Sequence, residues 1–218
     1  MAYYIDAEKV SLDDLRKRIE DTDLIPSRVS LLENIAEKMK RLEQQGITTF
    51  AQLRTELKNS KRLEALAKVT GIDVDYLVLL RREIESFFPR SFPLRDFDWL
   101  PDEEISKLKK VGVGDIASFY QKACNIEKRK ELAKTSGVDI VIIETLTRLA
   151  DLTRVQWVSP TTARMLVEAG YDNAAKLAAA DGEELFNAFV RVNDGGRFFK
   201  GTIGLRDVKR LIRAASYI

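Results

Sequence analysis

The feature that most constrains this chain is a turn written three times: Gly46-Ile47-Thr48-Thr49-Phe50, Gly112-Val113-Gly114-Asp115-Ile116 and Gly170-Tyr171-Asp172-Asn173-Ala174. A glycine can take the left-handed backbone conformation that ends a helix, and the apolar residue after it packs back on the last turn. Thr, Asp or Asn then offers a side-chain oxygen to the free N–H groups of the next helix. A chain punctuated in this way is committed to short helices packed on one another, and the expectation is an all-α fold.

Taken in order, Tyr3-Tyr4-Ile5 reads as irregular or strand-like. Ser11-Leu12-Asp13-Asp14 has the form of a capping box, opening a short helix with Leu12, Leu15 and Ile19 on one face. Leu24-Ile25-Pro26-Ser27-Arg28 predicts the start of a longer helix, with Leu32, Ile35, Ala36, Met39 and Leu42 at helical spacing, running to Gly46. Phe50, Leu53 and Leu57 predict the next helix, and a polar break at Lys58-Asn59-Ser60 precedes Leu63, Leu66 and Ala67. A glycine turn at Thr70-Gly71-Ile72-Asp73 then leads to a helix bearing Leu77, Leu80, Ile84 and Phe88. Pro89 and Pro93 end it, because proline lacks the N–H that an interior turn needs.

Beyond these prolines the pattern starts again. Gly112 and Gly137 stand 66 residues after Gly46 and Gly71, and Leu132-Ala133-Lys134-Thr135-Ser136-Gly137-Val138-Asp139 lies over residues 66–73 with five identities. The repeat assigns Ile140-Val141-Ile142-Ile143 to a helix, although branched side chains alone suggest a strand; Ile142, Leu146 and Leu149 keep helical spacing onward. A third, shorter copy places Gly170 58 residues after Gly112, with Pro160 in a first helical turn and Asp181-Gly182-Glu183-Glu184 as another capping box before Leu185, Phe186 and Phe189. It diverges at a glycine-rich insertion, residues 193–204, ahead of a last helix carrying Leu205, Val208, Leu211, Ile212 and Ala215. The expected organisation is three tandem helical modules in one elongated body: residues 1–92 with the N-terminal helix, residues 93–152, and residues 153–218.

Composition narrows the chemistry. The 218 residues contain no histidine and one cysteine, Cys124, which excludes histidine-assisted nucleophiles, histidine-ligated metals and an intrachain disulfide. Cys124 reads as an inert, partly buried thiol. No phosphate-binding Gly-x-x-x-x-Gly-Lys loop, dinucleotide fingerprint or calcium loop is present. The paired carboxylates Asp13/Asp14, Glu103/Glu104 and Glu183/Glu184 fall in first helical turns, where they favour the helix dipole. Without an apolar span or a leader pattern the expected location is the cytoplasm.

Modules of short helices joined by Gly-apolar-x-Thr turns resemble the helix-hairpin-helix and SAM-like group. The order Leu24-Ile25-Pro26-Ser27-Arg28, then Asp75-Tyr76-Leu77-Val78-Leu79-Leu80-Arg81-Arg82-Glu83, then the basic glycine-rich ending is similar to a bacterial family known only as domain of unknown function 4332, over nearly the whole chain. The resemblance implies an all-α fold and no established activity; the helix-hairpin-helix analogy implies DNA contact.

Two stretches could meet a partner. In Lys109-Lys110-Val111-Gly112-Val113-Gly114, glycine N–H groups beside lysines could cradle a backbone phosphate, whereas Asp115 and the helix-start position of Gly114 fit a plain structural turn. A second hairpin-like stretch, residues 154–163, carries Trp157 and Ser159 where a binding turn would have glycines, and Trp157 reads as a core or inter-module packing residue. At the C-terminal end Arg206, Lys209, Arg210 and Arg213 share the polar side of the last helix, while Arg197, Phe198, Phe199 and Lys200 ride on the insertion. From residue 190 onward seven basic residues face two acidic ones, a net +5, against −3 over the first 23 residues; the basic side is either a recognition surface or a solvated face. The expectation is a non-catalytic binding or scaffold module that recognises a protein, or alternatively a nucleic-acid backbone, with no cofactor, metal, membrane or small-molecule substrate.

Overall fold

The computed structural model describes residues 2–218, and among the described residues it contains thirteen α-helices, three short 3-10 helices and no β-strand. The all-α expectation therefore holds, including at residues 140–143, which open a helix. No helix is long and apolar enough to cross a membrane. The chain divides into two compact units, residues 5–88 and residues 2–4 with 89–218.

The first unit holds α1 (Leu12–Asp21), α2 (Ile35–Glu43), α3 (Phe50–Leu57), α4 (Ser60–Thr70) and α5 (Val74–Glu85). Its core runs from Leu12, Leu15 and Ile19 of α1 through Phe50 and Leu53 to Leu77, Leu80 and Ile84. The long helix expected to start at residues 24–28 and run to Gly46 is two pieces. A 3-10 helix spans Pro26–Leu32, and Asn34 then takes a left-handed conformation, φ 52°, before α2 begins. The kink turns the apolar stripe: Leu31 is buried, whereas Leu32 and Ala36, expected on the core face, are exposed. Tyr3-Tyr4-Ile5 forms no strand. Asp6, Asp13 and Glu20 pair with Lys9, Arg16 and Lys17 of the same segment, so these bases are matched locally.

The second unit holds α6 (Asp102–Lys110), α7 (Ile116–Lys122), α8 (Ile126–Ser136), α9 (Ile140–Leu152), α10 (Pro160–Glu168), α11 (Ala174–Ala178), α12 (Gly182–Val192) and α13 (Leu205–Ala215). One continuous core includes Phe119 of α7, Leu146 of α9, Leu166 of α10 and Val208 of α13. Tyr3 belongs to it, almost fully buried. Its hydroxyl donates to the Thr153 carbonyl (2.9 Å), and its own carbonyl accepts from Arg154 Nε (3.0 Å). Arg154 also donates to Tyr120 Oη (2.8 Å) and Asp151 (2.7 Å), whose second oxygen accepts the Ala174 N–H at the start of α11. Burial pushes the Tyr3 phenol above its ordinary value, so it stays a neutral donor.

The same local chemistry recurs in both units. Gly46, Gly112 and Gly170 have φ of 80°, 77° and 94°. In each case the next residue's N–H reaches the carbonyl five residues back: Ile47 to Leu42, Val113 to Leu108 and Tyr171 to Leu166. Thr49, Asp115 and Asn173 then cap the following helices. Asn59 and Asn125 cap the next ones, and Asp73 and Asp139 those after, each pair 66 residues apart. A short extended segment crosses each first turn: Leu12 N–H meets Thr48 O and Phe50 N–H meets Val10 O, as Leu94 N–H meets Gly114 O and Ile116 N–H meets Phe92 O.

Two predictions follow from the turn at residues 112–115. Gly112 needs its positive φ and a Cβ there would stand 3.3 Å from Lys122 Nζ, whereas nothing lies within 4 Å of one at Gly114. In urea unfolding, Gly112→Ala should cost about 1–2 kcal/mol and Gly114→Ala a few tenths; equal effects would contradict the assignment. Burial raises the Asp115 pKa, but hydrogen bonds from the Ser118 N–H and hydroxyl, the Ser91 hydroxyl and the Ala117 N–H outweigh it and hold the carboxyl below its ordinary value. A depressed folded pKa gives stability that is present above the unfolded value and lost as pH falls through the folded one. Asp115→Asn keeps a capping oxygen without that titration, so its melting temperature should fall less than the parent's on acidification below about pH 4.

Candidate functional site

In the second unit, the N-terminal end of α10, α12, the 197–203 loop and α13 enclose a groove of about 430 Å³. Buried Met165, Phe189 and Leu211 form its floor, and Trp157, Phe198 and Phe199 supply aromatic walls. Ser159, Thr161 and Thr162 bring hydroxyls, and Arg210 and Asp207 bring charge. A concavity of this size, mostly apolar with a few converging polar groups, is the form of a recognition site.

Trp157 is not the packing residue expected from sequence. The turn after α9 is pinned by buried Val155, Gln156 and Val158, with Val155 N–H donating to Leu152 O and Val158 N–H to Val155 O. Trp157 between them adopts φ 69°, and among the described residues only Asn34 shares a positive φ without being glycine. A bulky residue in this conformation is strained by about 1–2 kcal/mol. Its side chain points out, 42% exposed, and the Arg210 guanidinium lies over the ring, 4.3 Å from its centroid. That is a cation–π contact.

The other wall is held by one side chain. Gly195 and Gly196, both left-handed, reverse the chain after α12. Asn193 then clamps it: its Oδ1 accepts from the Phe198 and Phe199 N–H groups, both at 2.9 Å, and its Nδ2 donates to the Phe199 carbonyl at 2.8 Å. Arg197 pairs with Glu168 of α10 (2.7 Å) and, with Arg164, flanks the Phe198 ring. The result is a fixed loop that presents Phe199, 48% exposed.

The residues singled out in the sequence divide into two places. Arg206, Lys209 and Arg213 are exposed on α13, whose Val208, Leu211 and Ala214 pack toward α11 and α12. Arg210, on the same helix, turns into the groove, and Arg197 and Lys200 flank its aromatic loop. Lys109 and Lys110 are exposed at the end of α6, a helix that packs on α8. There the Gly112 and Val113 N–H groups donate to the Lys109 and Leu108 carbonyls and Lys122 Nζ donates to Val111 O. These donors are engaged in ending the helix, and Gly114 contributes its carbonyl to the crossing segment. Sequence reasoning missed Trp157 and Asn193 as site residues. The signal for Trp157 was its place where a hairpin binding turn would have a glycine; nothing marked Asn193 as a clamp.

An all-α fold with an aromatic, basic-edged groove is the class of structure these residues define. A family model described as Domain of unknown function (DUF4332) matches residues 100–218, more than half of the chain and all of the groove, and the chain belongs to that family. The resemblance read from sequence is thus borne out there, while its segments at residues 24–28 and 75–83 lie outside the match. No curated protein and no solved structure matches the chain.

The strained backbone gives a direct test. Trp157→Gly removes the indole and its stack on Arg210 but relieves the left-handed strain, so its unfolding free energy should stay within about 1 kcal/mol of the parent's. A loss of about 3 kcal/mol or more, as for a core aromatic, would show that the ring is structural.

Proposed function

We propose that this chain is a non-catalytic helical binding module that engages a protein partner through the groove beside α13. The observation that carries this reading is the Trp157–Arg210 stack: an exposed tryptophan on a strained backbone, beside a rigid Phe198–Phe199 loop and over a buried apolar floor. Tryptophan and arginine at the centre of a concave apolar patch are the residue types that dominate protein–protein binding energy. Within this reading the fold is three helix-hairpin-helix-like, SAM-like modules. The capped glycine turns at Gly46, Gly112 and Gly170 support it. A second reading, contact with a DNA or RNA backbone, draws on the outward Arg206, Lys209 and Arg213.

A salt titration separates the two. If the partner is a protein, the full chain does not associate with random duplex DNA at low salt, and a protein captured from the native cell is lost with Trp157→Gly. Tight DNA binding that falls steeply with salt, and falls again when Arg206, Lys209, Arg210 and Arg213 are neutralised, would overturn the first reading.

A further inference from the structure

We infer that the groove takes a bulky apolar side chain carried on an acidic peptide segment; this rests on the protein-binding reading above and specifies its partner. Arg210 is half-buried against Trp157, yet among the described residues no carboxylate comes within ion-pair distance, 4.0 Å, of its guanidinium, and its buried Nε has no hydrogen-bond partner. A guanidinium set in an apolar wall normally has an anion beside it. The nearest acid in sequence, Asp207, also lines the groove, but its carboxylate accepts the Gly204 N–H at 3.2 Å and helps start α13. Arg197 is already matched by Glu168. Seven basic residues against two acidic from residue 190 onward leave the surroundings positive.

The apolar half of the occupant follows from the floor and walls. Met165, Phe189 and Leu211 are buried beneath the opening, and the rings of Trp157, Phe198 and Phe199 border it. Methionine and aromatic rings take aliphatic or aromatic side chains of varied shape. A peptide carrying such a side chain would seat it on this floor, with a neighbouring aspartate or glutamate reaching Arg210. Polyanionic nucleic acid would engage the outer face of α13 and leave the floor empty.

Selection of a random peptide library displayed on phage against the full chain tests the inference. The expected result is enrichment of peptides that combine Leu, Phe or Trp with adjacent Asp or Glu, binding at least tenfold more weakly to Trp157→Gly and to Arg210→Glu. Arg210→Glu should also shift the preference towards Lys and Arg. Melting temperatures check that both variants fold, and Arg210→Gln supplies a second, uncharged substitution that should weaken acidic peptides in the same direction. Enriched peptides without acidic bias, or with affinity unchanged in the variants, would overturn the inference while leaving a protein partner elsewhere on the chain. No enrichment together with salt-sensitive binding of duplex DNA would overturn both.

Discussion

A left-handed residue at the end of a short helix is the constraint on which this structure depends. Helices of five to thirteen residues are too short to be stable alone, so each must stop at the right point and hand its apolar face to a neighbour. The positive φ at Gly46, Gly112 and Gly170 lets the following apolar residue fold back on its own helix, and Thr49, Asp115 or Asn173 at once satisfies the next helix's donors. The short extended crossings at residues 10–12 and 92–94 pair with two of these turns and fix how the chain enters them.

Around that device the second unit is tied by a buried polar network. Tyr3, Tyr120, Asp151, Thr153 and Arg154 join the Tyr3 segment to α7, α9 and α11 through hydrogen bonds that are buried at Tyr3 and Thr153 and part-buried at Arg154 and Asp151. Such networks contribute specificity when fully satisfied and cost stability when broken. The family match begins at residue 100, so Tyr3 lies outside it although it is part of this unit's core.

Much of the fold was legible because turn chemistry is local. Gly71 and Gly137, Asn59 and Asn125, and Asp73 and Asp139 announce helix ends and starts by residue type alone, and the 66-residue repeat resolved the branched run at 140–143 in favour of a helix. The break at Asn34 was hidden because apolar spacing continues through it, and only the backbone shows that Leu31 instead of Leu32 faces the core. The site was less legible. Tryptophan usually reads as core because it buries large area, and here the rigid turn around it overrides that tendency and sends it outward. Its partner Arg210 sits among four basic residues of one helix, and sequence spacing cannot say which of them turns inward.

The groove depends on the left-handed backbone at Trp157. Measurement of its φ in solution, from the three-bond HN–Hα coupling and the Cα shift in the full chain, should give the left-handed value near the 69° seen here. A negative φ would place the indole elsewhere, dissolve the stack with Arg210, and contradict the claim that a tryptophan held in the left-handed conformation shapes this groove.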